Sequence, residues 1–289
     1  FLRALKQTPY VKMVAGTFIS GGHDGQFYIG WPDFSESGVC AWRDWLRTRY
    51  GTDAALAHAW HQDGVKLDTA DVPLPDRLKP PAPGESLMFH NPQTATPNSD
   101  YDEFMNQGIW RIEEYFAGVV KEEVGKDIIA LTWHMGGGWK GDFRTFLDGS
   151  TLDAFVAQPF YEYRYPGHTG GINSAYESLA LHGKLAIKEM DTRSWLRGIS
   201  NELITMRIGT PLSWEHFQTM NRKEIGQMIA RGHGYWYYDI SGTTYRHPAA
   251  MEEIRVTKAI AEHVAANPKP FHPDVALVYH TPSFFFRRK

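Results

Sequence analysis

The segment LAIKEMDT, residues 185–192, sets a carboxylate, Glu189, at the tip of an apolar run. A carboxylate held in one rotamer at a strand end can attack a carbon centre in line, because the attacking geometry is fixed before reaction. The same residue could instead cap its strand in a salt bridge with Arg193 or Lys188. A second concentration of polar groups lies far upstream in GGHDGQFYIGW, residues 21–31, where an apolar run ends and His23, Asp24 and Gln26 follow. Three further runs end in the same way. One gives Trp133 and His134, one gives Gln158, Tyr161 and Tyr163, and one gives Trp236, Tyr237, Tyr238 and Asp239. After Glu189 come Asp191, Arg193 and Trp195. Flat rings among hydroxyl-binding groups suit a sugar, although each residue taken singly also fits a rim or core contact.

Bulk properties narrow the alternatives. The chain has 289 residues, 42% hydrophobic and 22% charged, which reads as a soluble, globular protein with room for one large α/β domain or two small ones. A net charge of -3 argues against a duplex nucleic-acid partner, which calls for a clustered basic surface. No apolar run approaches the ~20 residues needed to span a bilayer, so no membrane partner is expected. The single cysteine, Cys40, excludes an intrachain disulfide and a cysteine-rich zinc site, and reads as a small apolar residue packed on a helix. Thirteen histidines keep a metal-dependent hydrolase in view, but no His-x-His pair occurs, and His58 and His61 fall on an exposed helix face. No metal ligand set and no cofactor is expected.

The elements that must position these residues alternate. Strands are expected at Val11–Ser20, Asp127–Trp133, Leu152–Pro159, Lys184–Met190 and Gly234–Asp239, with a sixth at Val275–Tyr279. Near-continuous apolar runs of this kind suit parallel strands buried on both faces. Helices are expected at Glu36–Tyr50, closed by Gly51, at Glu224–Arg231, closed by Gly232, and at Met251–Ala266. Another starts at a capping box formed by Ser99 and Asp102, with Met105, Ile109, Ile112, Phe116 and Val119 on its buried face. Residues 74–97 are proline-rich and read as an ordered surface excursion. Residues 267–274, with three prolines in eight positions, read as a linker. Strand–helix alternation makes the chain α/β. GGHDG lacks the small residues of a dinucleotide-binding helix start, whereas functional side chains at several strand ends are the mark of a (β/α)8 TIM barrel.

Here a family resemblance adds to the reading. CAWRDWLRTRYGTDAALAHAW, residues 40–60, resembles the helix after barrel strand four in family 42 of the glycoside hydrolases, a β-galactosidase-like group, through Trp42, Trp45, Leu46, Arg49, Tyr50, Gly51, Leu56 and Trp60. LAIKEMDTRSW resembles that family's seventh strand, GHGYWYYDISG its eighth, and PDVALVYHTPS the opening of its second domain. The resemblance implies that residues 1–266 are the C-terminal part of the barrel, from about strand four to strand eight, with strands one to three preceding Phe1. It makes residues 267–289 a linker and the first strand of a following domain. The family's zinc-binding cysteine cluster is absent.

The resemblance also implies roles. Glu189 becomes the nucleophile of a retaining glycosidase. The acid/base slot, where the family carries Glu, holds Gln26, and an amide has no proton to give a leaving oxygen. Three outcomes follow: Gln26 is a Glu→Gln replacement that traps substrate, Asp24 two positions away is the acid, or the protein binds sugar without cleaving ordinary glycosides. His23, Trp31, Trp133, His134, Gln158, Tyr161, Trp195, Trp236, Tyr237 and Asp239 become the candidate substrate contacts. The expected partner is a carbohydrate substrate, with a homo-oligomer left open.

Overall fold

The computed structural model describes residues 1–289 apart from 22–24, 26, 28–31, 75–82, 85, 134–141, 162–163, 172–173, 192, 198–208, 240–241, 271, 279 and 288–289. Five strands, β1 (Gly16–Ile19), β2 (Ile129–Trp133), β3 (Ala154–Ala157), β4 (Leu185–Met190) and β5 (Gly234–Tyr237), form one parallel sheet in the order β1-β2-β3-β4-β5. The described helices are α1 (Leu2–Lys6), α2 (Glu36–Tyr50), α3 (Asp53–Trp60), α4 (Pro92–Glu123), α5 (Phe143–Asp148), α6 (Tyr176–Leu181), α7 (Trp214–Ile229) and α8 (Pro248–Ala266). Strands that pair strictly in chain order, each crossover returning past a helix, make a singly wound sheet. A doubly wound sheet would reverse its order at a switch point. Five strands are too few to close a (β/α)8 barrel, so the architecture is a parallel half-barrel.

The main core lies between sheet and helices. Ile19, Ala130, Phe155, Ala157 and Ala186 project from the strands onto Trp110, Phe146, Leu179 and Met228. The opposite, inner face is less covered, and Phe18 and Ile129 are exposed there. Central strand β3, Ala-Phe-Val-Ala, is buried at every position, as expected of a parallel strand covered on both sides. A second core joins α2, α3 and the first half of α4 through Trp42, Trp45, Trp60 and Tyr101.

Several expectations are corrected. No strand forms at Val275–Tyr279: its described residues have no sheet partner, and Leu277 is 94% exposed. The chain turns back instead, placing a 3₁₀ turn, Thr281–Phe286, against α4, with His90 N donating to Phe286 O at 2.7 Å. Ser99 does not cap a helix. It is buried inside α4, whose cap is Asn91, eight residues upstream and followed by Pro92 at the first helical position. The buried stripe of α4 is rotated from the expected one. Asn106, Ile109, Trp110, Glu113, Ala117 and Val120 face inward, while Ile112 and Phe116 are 48% and 47% exposed. Polar residues on the inner stripe and apolar ones outside it misled the periodicity. Cys40 lies on α2 but is exposed. The helix expected at Glu224–Arg231 starts ten residues earlier, where Ser213 accepts from His216 N.

Candidate functional site

Alternation along β4 sends Lys188 and Glu189 to opposite faces of the sheet. Glu189 lies in register with Trp236 of β5, so both project from the inner face at the C-terminal edge. On β3, Ala157 pairs with Lys188, and Gln158 is the first residue beyond that strand's end. Glu189 and Trp236 therefore stand side by side at two strand ends, and Gln158 follows the end of the neighbouring strand. Trp133 stands one row below, in register with Val156 and through it with Ile187, and meets Phe18 edge-on at 6.4 Å. Glu189 is 1% exposed.

The groups around the strand tip are polar. Tyr161 donates to Asp191 Oδ2 at 2.8 Å, and burial, followed by the Asp191 carboxylate, pushes its hydroxyl pKa well up. Glu189 pushes that hydroxyl in the same direction, more weakly. Arg193 Nε lies 3.7 Å from Asp191 Oδ1. Arg164 Nη1 donates to Asp191 O at 2.6 Å, and its guanidinium lies 4.6 Å from the Tyr161 ring centroid. Tyr245 donates to Met190 O at 3.0 Å, and the Ser194 hydroxyl donates to Thr244 O.

On the other face Lys188 is fully buried, with Nζ 3.4 Å from Glu224 Oε2 of α7. Burial lowers its pKa to about 8, against the opposing pull of Glu224. Of the two partners considered for a salt bridge with Glu189, Lys188 lies against Glu224 and Arg193 faces Asp191.

The expected site residues divide. Glu189, Gln158, Trp236, Trp133 and Tyr161 are brought together at the inner face and its C-terminal edge. Tyr237 is not: it projects toward the helices, donates to Asn221 Oδ1 at 2.8 Å, and burial pushes its pKa up to about 12. Trp195 packs into a cluster with Trp214, Phe217 and His247, at ring distances of 5.1, 5.4 and 5.3 Å. Asp239 accepts from Thr244 N at 3.1 Å and closes the turn after β5. His23, Asp24, Gln26, Trp31 and His134 lie outside the described residues. The flanking residues Gly25 and Phe27 pack at the tip of β2, where Phe27 N donates to Trp133 O at 3.4 Å. Gly25 has φ 74, and a Cβ there would come within 3.2 Å of Ser20 Oγ, so glycine suits both the conformation and the space.

Arg164 and Glu224 were missed by sequence reasoning. Arg164 sits in a loop, four residues past Phe160, and no periodicity marks it. Lys188 did carry a signal: a charge on the helix-facing side of a buried strand requires a partner from the helix layer. Among the described residues, no three His, Cys, Asp or Glu side chains gather as a metal site, and no helix is long and apolar enough to cross a membrane.

No protein-family model and no curated protein matches the chain. It is similar in structure to a polyextremophilic β-galactosidase from the Antarctic haloarchaeon Halorubrum lacusprofundi, with 21% identity and a TM-score of 0.39 over 58% of this chain and 23% of that one. It is similar to an exo-β-agarase, with 14% identity and a TM-score of 0.49 over 82% of this chain and 32% of that one. A third similarity is to a β-galactosidase from the psychrophilic Marinomonas ef1, with 12% identity and a TM-score of 0.43 over 92% of this chain and 42% of that one. The chain thus spans less than half the length of each of these three proteins. The half-barrel architecture itself is carried by the strand order and register.

Proposed function

We propose that the chain supplies the nucleophile-bearing half of the active site of a retaining, β-galactosidase-like glycoside hydrolase. The observation that supports this reading is the register of Glu189 with Trp236, a buried carboxylate beside an indole at the C-terminal edge of a half-barrel, with Gln158 following the end of the neighbouring strand. In double displacement, Glu189 attacks the anomeric carbon while the glycosidic oxygen leaves with a proton, and water then releases the sugar from Glu189. The proton must come from the acid/base position, which the resemblance assigns to Gln26 or to Asp24. A Gln there slows departure of ordinary alcohols but not of a phenolate that needs no proton. Gln158 and Trp236 would hold sugar hydroxyls and a ring face.

A dinitrophenyl β-galactoside tests this, with the intact protein mixed rapidly and the burst of dinitrophenolate recorded. Glu189→Gln is expected to reduce the burst rate by roughly 10⁴-fold or more, because a group acting as nucleophile is not replaced by its neighbours. A variant that keeps the wild-type burst would remove Glu189 from the mechanism. Gln26→Glu is expected to raise turnover of an unactivated galactoside. Flat activity in that variant, with loss of activity in Asp24→Asn, assigns the proton to Asp24 instead. Gln26 also favours a second reading, a sugar-binding protein without turnover, whose signature is calorimetric binding of galactosides with no burst from the activated substrate.

A further inference from the structure

We infer that Arg164 is a positioning residue for Glu189, acting from the helix side of the sheet through residues 188 and 191. This inference rests on the function proposed above and extends it to residues that no substrate touches.

Arg164 is 1% exposed in the loop after β3. Its Nη1 donates to the backbone oxygen of Asp191 at 2.6 Å, two residues beyond Glu189. Its Nε faces Glu224 Oε1 at 3.9 Å, and the other oxygen of that carboxylate lies 3.4 Å from Lys188 Nζ, one residue before Glu189. The chain on both sides of Glu189 thereby meets one guanidinium–carboxylate pair, through a hydrogen bond at residue 191 and through a charge contact without a hydrogen bond at residue 188. The same guanidinium lies over the ring of Tyr161, whose hydroxyl holds the Asp191 carboxylate.

The pair is itself anchored. Lys223, next to Glu224 on α7, donates to the backbone oxygens of Arg164, Tyr165 and His168 at 2.7, 3.1 and 2.9 Å. Gly209, at φ +60, lies so close that a Cβ there would collide with Arg164 Cγ and Cδ. Space for the arginine therefore depends on a glycine from a distant loop.

Stability alone gives a poor reason for this construction. Burying Arg164, Lys188 and Glu224 together costs desolvation that apolar side chains of similar volume would avoid. The gain is in placement. A shift of residue 191 along the strand would lengthen its hydrogen bond to Arg164, and a shift of residue 188 would disturb its contact with Glu224, so the pair favours one position for the carboxylate between them. A displacement of about 1 Å in such a group costs on the order of 10²-fold in rate.

The test uses Arg164→Lys and Arg164→Ala in the intact protein, with the dinitrophenolate burst, KM, the melting temperature and added guanidinium as readouts. Lysine keeps the charge but cannot reach Asp191 O and Glu224 together or stack on Tyr161. Arg164→Lys is expected to lower the burst rate about 30- to 100-fold while KM stays within about threefold. Low millimolar guanidinium is expected to restore about tenfold to Arg164→Ala without changing the wild type. Wild-type burst rates per folded molecule in both variants, with only the melting temperature lowered, would overturn the inference. If Arg164→Ala does not fold, the rate of Arg164→Lys decides in the same way. Glu189→Gln measured alongside separates the two claims. Its retention of the burst sinks the proposed function and this inference together. Its loss, with an unaffected Arg164→Lys, sinks this inference alone.

Discussion

Two regions of the molecule are rich in the same residue types and use them in opposite ways. In the α2–α3–α4 core the indoles are closed off. Trp42 Nε1 donates to Asp71 O at 3.2 Å, Trp45 Nε1 to Gln107 Oε1 at 2.8 Å, and Trp60 Nε1 to Asp100 Oδ2 at 2.7 Å. Tyr50 completes the Asp100 carboxylate at 2.6 Å. Trp42 stacks on Trp45 and Trp60 with centroids 5.4 and 6.2 Å apart. At the strand ends, Trp236 is partly exposed, and its Nε1 is buried with no acceptor among the described residues. A buried donor without a partner is costly unless something arrives to accept from it. The pattern Trp42, Trp45, Tyr50 and Trp60, which carries the family resemblance, is therefore a fastener that holds a helical layer, whereas Trp236 stands at a strand end with its donor unsatisfied among the described residues, a position that suits the sugar contact proposed above.

The contrast can be broken by substitution. Trp42→Ala removes a fully buried indole from the fastener and is expected to cost about 3–5 kcal/mol of stability, while leaving the burst rate per folded molecule unchanged. Denaturant titration and the burst assay at low temperature check the two halves. A slowed burst in folded protein would couple the regions and dissolve the distinction.

A smaller effect separates the regions by pH. The Lys188 pKa is lowered by burial from 10.5 to about 8, with Glu224 opposing and Arg164 and Lys223 reinforcing the shift. Between those values the unfolded chain holds a proton that the folded chain has released, so this group makes stability rise as pH increases through the window. Lys188→Met is expected to abolish that rise, a difference on the order of 3 kcal/mol between wild type and variant across the window. Parallel stability curves for the two proteins would contradict it. In the helical core the sign reverses: burial raises the Asp100 pKa, so its contribution is full below the unfolded carboxylate value and declines as pH rises through the folded one.

The smallest expected effect concerns Trp236. Truncation to Ala is expected to raise KM for the aryl galactoside roughly tenfold, the equivalent of about 1–1.5 kcal/mol of ring contact, with little change in melting temperature. An unchanged KM would remove Trp236 from the sugar site and make it a second fastener.

The sequence made the strands legible because parallel buried strands are nearly continuous apolar runs, and all five expected in the sheet are present, although the first is confined to Gly16–Ile19 because Val11–Met13, after Pro9, winds into a 3₁₀ helix. The end of α2 was legible from Gly51, which adopts φ 73 as the helix cap, and the structure adds Ser35 as the cap at its start. The sixth strand failed because an apolar run specifies a strand only where another strand offers hydrogen bonds. The face of α4 was misread because Asn106 and Glu113 are buried and Phe116 is not. At the site, Glu189 and Trp236 were readable as strand ends, but Tyr237 shared the signal and faces the helices. Strict alternation from Glu189 and Trp236 would have separated it. Arg164 and Glu224 were illegible because their role depends on a loop and a helix meeting behind β4.

The central claim, that Glu189 becomes covalently bonded to a sugar, has a direct measurement. A dinitrophenyl 2-deoxy-2-fluoro-β-galactoside slows release of the glycosyl group more than its capture, so the intermediate accumulates and peptide mass spectrometry can locate it. The account predicts one fluorogalactosyl group on the peptide containing Glu189, and none in Glu189→Gln. A label on another carboxylate, or an unlabelled protein that still binds the sugar, would contradict it.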